Sequence, residues 1–283
     1  MVGGCGLAAF AFQQSMSRAA VRDPGPPADV GNAQPLNLVR HPGGQYSFLR
    51  GIPAYSAGVI ARDGYEVVHA TFSRSPSLRS GFKAIDEHLS GLNLPKAALC
   101  GVELRSPRSF SPEEFRAFNG SYIEVLKSWG ILLEGALNPV ARTNVAPVAF
   151  PPSEPAIHAF SYVTRSTNSQ RTFLVAGGGE LPDGSINPRD ILRRGDTSSA
   201  AIAEKARYVM SRMEARLRAM GASWLEVTAI DVYTAHDLSG ALVTDLLKQS
   251  GHNAVTWNYA RPPIMDLEFE MDLRGVRSEI VLG

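Results

Sequence analysis

The sequence is poor in the features that mark many function classes. Its 283 residues include two cysteines, Cys5 and Cys100. Neither lies in a CxxC pair or at metal-ligand spacing, so neither a disulfide scaffold nor a thiolate metal site is implied. A reducing compartment, the cytoplasm, is the easier fit. Cys100, in "KAALCGVEL", reads as a small core residue at a strand start. The net charge is +1, which gives no electrostatic reason to expect nucleic acid or membrane as a partner. No run of about 18 apolar residues occurs, and no transmembrane helix is expected. The stretch "VAGGGELPDG" is rich in glycine but lacks GxGxxG and GxxxxGK[ST]. HExxH and GxSxG are missing as well. No cofactor and no metal are expected.

What is present suits a folded chain, with a hydrophobic fraction of 44% sufficient for a sizeable core. The first stretch, "MVGGCGLAAFAFQQSMSRAA", lacks a basic region, and its apolar run is short and broken by glycine, unlike a signal peptide. With "RDPGPPADVGNAQP" behind it, the segment 1–40 is expected to be a poorly ordered extension.

The rest reads as one unit twice. In the first copy, 41–160, "AYSAGVIARDGYEVVHATF" suggests two strands around a turn at Asp63-Gly64, a strong hairpin signal. Leu78, Phe82, Ile85, Leu89 and Leu92 then recur every three or four residues as one helix face. "AALCGVELRS" reads as a buried strand. A second helix follows, with Ser111 as N-cap, Pro112 at the first position and Glu114 completing a capping box. The second copy, 161–283, repeats the order. "RTFLVAGGGEL" is a strand, and a helix carries Ile202, Ala206, Val209, Met213, Leu217 and Met220 on one face. Gly221 ends that helix in a left-handed cap. The β-branched strand "LEVTAIDVYT" follows, then a helix in "LSGALVTDLLKQSG" and the alternating strand "DLEFEMDL". The strand "AIHAFSYVTR" fits either copy. An Ala-Arg pair closes each, Ala141-Arg142 and Ala260-Arg261. The fold expected is α+β, each unit a mixed sheet with two helices on one face. The other face is expected to be buried against neighbouring copies.

These segments resemble the Rid (YjgF-like) family of imine and enamine deaminases, whose members have one β-β-α-β-α-β, chorismate-mutase-like unit and assemble as trimers with sites between units. "LVAGGGEL", "GASWLEVTAIDVYTAHDL" and "ARPPIMDLEFEMDL" carry the closer match. "AYSAGVIARDGYEVVHATF" and "VARTNV" carry a weaker one in the first copy. The resemblance places the family's substrate-binding arginine at Arg261, its carboxylate near the hydrolytic water at Glu268, and an active-site tyrosine at Tyr55. Arg142 is the arginine of the first copy, where "AIHAFSYV" has no carboxylate and only His158 nearby. The resemblance implies a homo-oligomer, with a trimer favoured, and a small carboxylate-bearing substrate.

The chemistry fits those residue types. A guanidinium grips a carboxylate through two parallel hydrogen bonds. A glutamate can take a proton from water and return one to departing ammonia. Gly177 and Gly178 let backbone N–H groups approach a small ligand. Each has a plainer reading: Arg261 as a surface ion-pair residue, Tyr55 as a half-buried aromatic, Glu268 and Glu270 as the wet side of a strand. Glu268 is preferred over Glu270 on alignment alone. The leading expectation is hydrolysis of a 2-imino or 2-enamino acid with ammonia release, an aminomuconate-type substrate being the specific version. The alternatives are a chorismatase-like hydrolase or lyase, which releases no ammonia, and a non-catalytic binder of small acids.

Overall fold

The computed structural model of the chain describes residues 1, 36–238, 240–251 and 255–283. The expected extension lies outside the described residues, except that its last part already carries strand β1, Leu38–Arg40. β2 (Tyr46–Leu49) and β3 (Gly58–Ala61) follow. The first unit then runs β4 (Tyr65–Phe72), α1 (Leu78–Gly91), β5 (Leu99–Arg105), α2 (Pro112–Ser128), β6 (Ala141–Pro147) and β7 (Ala156–Arg165). The second runs β8 (Phe173–Gly179), α3 (Ser199–Ala219), β9 (Ala229–Thr234), α4 (Gly240–Ser250), β10 (Thr256–Arg261) and β11 (Glu270–Gly275), and β12 (Ser278–Leu282) ends the chain.

The duplication is visible in the ladders. The first unit pairs in the order β4-β7-β5-β6 and the second in the order β8-β11-β9-β10. In both, the first two contacts are antiparallel and the third is parallel. β7 thus completes the first unit. The parallel pair in each unit is bridged by a helix, as a crossover requires. The fold is α+β, two tandem units of the same strand order, joined where β10 pairs antiparallel with β6.

The helices form where local chemistry favours them. Ser111 Oγ accepts from Glu114 N at 3.2 Å and Glu114 Oε2 accepts from Ser111 N at 2.9 Å, the expected capping box. α3 is capped at Met220, and Gly221 follows at φ 70°, a left-handed position that glycine occupies without strain. α1 and α2 bury Phe82, Ile85, Leu89, Tyr122 and Leu126 against β5 and β7. α3 buries Ile202, Val209, Met213 and Leu217 against β8, β9 and β11. Each such side chain contributes about 1.5–3 kcal/mol of transfer free energy.

Three expectations are corrected. The Asp63-Gly64 turn exists, with Gly64 at φ 80°, but its flanking strands do not form a hairpin. β3 pairs with β2 and β8, and β4 pairs with β7 and β12. The turn carries the chain from the edge of one unit to the edge of the other. The second sheet faces need no neighbouring copy, because they meet inside one chain: Val67, Cys100, Ala141 and Val163 pack with Leu174, Ala176, Phe48 and Val59. Finally, the two Ala-Arg pairs are not equivalent positions. Arg142 is the second residue of its strand, whereas Arg261 is the last of its strand.

Candidate active site

Strand alternation decides where the residues of β6 point. Ala141 joins the core between the strands of the two units. Arg142 therefore faces the opposite way, toward α2 and the loop before β3. It is 3% exposed. Its guanidinium lies 4.6 Å from the Tyr55 ring centre, 5.0 Å from Tyr122, 5.6 Å from Phe115 and 5.8 Å from Phe118. Aromatic faces attract a cation but donate no hydrogen-bond acceptor of carboxylate strength. Among the described residues, Arg142 Nη1 has no hydrogen-bond partner. Burial pushes its pKa down, opposed by Tyr55, Tyr122 and Glu270, and an arginine stays charged regardless. The result is a buried cation with unused donors.

The carboxyl opposite comes from the other unit. Glu270 opens β11 and is 4% exposed. β8 makes room for it: a Cβ on Gly177 would sit 2.3 Å from Glu270 Oε1 and 3.2 Å from Thr143 Cα. Burial pushes the Glu270 carboxyl well above the usual range. Asp272 and Glu180 push it further, and Arg142 and Arg216 pull it back. Burial likewise raises the Tyr55 phenol, against the pull of Arg142.

A third side is built from α3 and the loop after β8. Arg216 Nη1 donates to Ala176 O at 2.7 Å and Nη2 to Asp183 Oδ1 at 2.6 Å. Arg212 pairs with the same Asp183. Burial pushes the Asp183 carboxyl up, but Arg216 and Arg212 overcome this and hold it below its ordinary value. These groups line a small cavity of about 50 Å³ that is open to solvent on one side, with Phe115, Leu181, Ile264 and Leu267 completing its lining.

Arg142, Tyr55, Gly177 and Gly178 therefore come together in one cavity. The Gly177 N–H donates to Thr143 Oγ1 at 3.1 Å, so that amide is engaged within the protein. Arg261 and Glu268 are not part of the cavity lining. Arg261 Nη1 pairs with Glu268 Oε2 at 3.0 Å, the arginine side chain being 48% exposed. His236 Nε2 lies 2.7 Å from the same oxygen. Glu268 and Glu270 do not share a strand face, because the strand begins only at Glu270. Sequence reasoning weighed Glu270 and set it aside, and it missed Asp183, Arg212 and Arg216. The spacing of Arg212 and Arg216, one helical turn apart, was the available signal.

The sequence profile of a family described as "2-aminomuconate deaminase CnbZ" matches residues 38–280. A 2-amino-5-chloromuconate deaminase of Comamonas testosteroni is 37% identical over 252 residues, covering 88% of this chain and all of that protein. Among solved structures, a chorismatase aligns at 12% identity and TM-score 0.47, over 86% of this chain and 80% of its own. The YjgF gene product of E. coli aligns at 17% identity and TM-score 0.28, over 47% of this chain and 93% of its own.

Proposed function

Because the chain belongs to the 2-aminomuconate deaminase CnbZ family, we propose that the cavity between Arg142 and Glu270 is where it deaminates a muconate-type enamine or imine. The observation that carries this reading is a buried guanidinium with a free donor, facing a buried carboxyl across a cavity. A substrate carboxylate takes the unused Arg142 donors in a charge-assisted, oriented contact. The Tyr55, Phe115 and Tyr122 rings hold the guanidinium in place and keep water from competing.

Glu270 starts as the neutral acid, since its surroundings disfavour the charge. It donates its proton to the enamine carbon, leaving a C=N bond conjugated with the carboxylate. As the carboxylate it then takes a proton from a water that attacks the C=N carbon. That proton goes to nitrogen, and as the C–N bond breaks Glu270 takes the remaining hydroxyl proton, so that ammonia leaves, the ketone forms and the neutral acid is restored. One water enters and one ammonia departs, a hydrolysis in which Glu270 serves as acid and then as base.

The test is ammonia release from 2-aminomuconate. Glu270→Gln is expected to lower kcat by about 10²–10⁴ with the fold retained. A folded variant with wild-type turnover removes Glu270 from the mechanism.

The family resemblance also supports a homo-oligomer, with a trimer favoured. Trp257, Tyr259 and Phe150 are exposed apolar side chains suited to a subunit contact, and the mass in solution tests this. A cytoplasmic setting is supported by Cys100, a free and buried thiol.

A further inference from the structure

Beneath the cavity lies an ion pair that the reaction as drawn does not use. Glu180 follows β8 directly, Lys205 belongs to α3, and both side chains are 0% exposed. Lys205 Nζ donates to Glu180 Oε1 at 3.1 Å. The same oxygen accepts from Glu268 N at 2.7 Å, and Oε2 accepts from Phe269 N at 3.1 Å. One carboxylate thus holds three donors, two of them the consecutive peptide N–H groups just before Glu270. The β11 ladder starts only at Glu270, which pairs with Gly179 and Tyr233. Phe269 is fully buried, so its N–H depends on Glu180 for a partner.

Stability alone does not call for such a pair, because apolar residues of similar volume commonly serve as well as a buried ion pair. Its position suggests another role. We propose that Glu180, held by Lys205, is a positioning residue for Glu270. It fixes the two peptide units that aim Glu270 into the cavity, and it places a negative charge beside that carboxyl. This rests on Glu270 acting as the proton donor. The other groups acting on Glu270 are Asp272 on its own strand, Arg142 on β6, Arg216 on α3 and Tyr55 before β3. Asp272 and Glu180 favour the neutral acid, and the two arginines favour the anion.

The experiment is the pH profile of kcat/KM for ammonia release from 2-aminomuconate. In the wild-type protein, activity falls on the alkaline side as Glu270 loses its proton. Glu180→Gln removes a negative neighbour and moves that limb to lower pH, by on the order of one unit. Lys205→Met removes the cation that opposes the burial-driven rise of the Glu180 pKa, so Glu180 takes up a proton and the limb again moves to lower pH. A packing role alone lowers activity in both variants without moving the limb, and that result overturns the proposal. If Glu180→Gln fails to fold, Glu180→Gln/Lys205→Met substitutes a neutral pair. Its limb is expected at lower pH, and an unmoved limb overturns the proposal equally. Glu270→Gln separates the two ideas: if it stays active the mechanism itself fails, whereas if it is inactive and the Glu180 variants show an unmoved limb, only the positioning role fails.

Discussion

Two arginines in similar sequence settings have different surroundings, and the difference decides what each can do. Arg142 is caged by four aromatic rings with a donor unused. Arg261 is half exposed and already committed to Glu268. Arg142→Met keeps the length and fits the apolar cage, so the fold is expected to hold. The loss of two charge-assisted hydrogen bonds to a carboxylate is expected to raise KM about 100-fold or more. Arg261→Ala breaks a partly exposed ion pair, worth at most about 1 kcal/mol, and is expected to leave kcat/KM near wild type. Steady-state kinetics and thermal melts of both variants check this. If the Arg261 variant alone loses activity, the chemistry belongs to the Arg261–Glu268 pair.

At the scale of elements, the site depends on a glycine in the middle of β8. A Cβ at Gly177 collides with Glu270 Oε1, which can swing away, and crowds Thr143 Cα, which cannot. Gly177→Ala is therefore expected to push the Glu270 carboxyl off its position, lowering kcat more than it raises KM, with the melting temperature down by only a few degrees, as about 1 kcal/mol implies. A KM effect alone contradicts this. The same element shows which parts of the structure were legible beforehand. The Ser111 cap and the Gly221 stop are local: both partners lie within a few residues, and the sequence states them outright. The start of β11 is not local. It is set by Glu180, 89 residues from Phe269, and only that distant carboxylate makes Glu270 the first strand residue and leaves Glu268 outside. The partner of β3 is equally remote, since a turn signal specifies a reversal but not which strand lies alongside. Arg142 was readable as a carboxylate binder from its type. Its place in one cavity with a glutamate of the other unit depends on contacts between the units, such as that of the Gly177 N–H with Thr143 Oγ1, which no spacing within one unit reveals.

At the scale of the whole molecule, folding one twelve-stranded sheet around its own interior buries groups whose titration has opposite consequences for stability. Asp272 accepts from Tyr233 Oη at 3.0 Å. Burial raises its pKa well above the ordinary value, and Glu103 and Asp231 add to this. Its folded pKa exceeds its unfolded one, so its contribution is complete below the unfolded value of about 4 and is lost as pH rises through the folded value. His158 behaves oppositely. Burial, and then Arg105, lower it to about 4, so its contribution is present above about 6.5 and is lost as pH falls toward the folded value. Melting temperatures measured across pH should separate the two through difference curves. Asp272→Asn keeps a polar partner for Tyr233 and cannot ionise, so its melting temperature is expected to gain on wild type steadily as pH rises from about 4. His158→Asn is expected to gain on wild type as pH falls below about 6.5, with the gain levelling off near about 4. A flat difference curve for Asp272→Asn means that the aspartate is ionised in the native interior. The arginines beside it, Arg105 and Arg274, then set its charge, and the interior behaves as a closed ion network rather than as one holding a neutral acid.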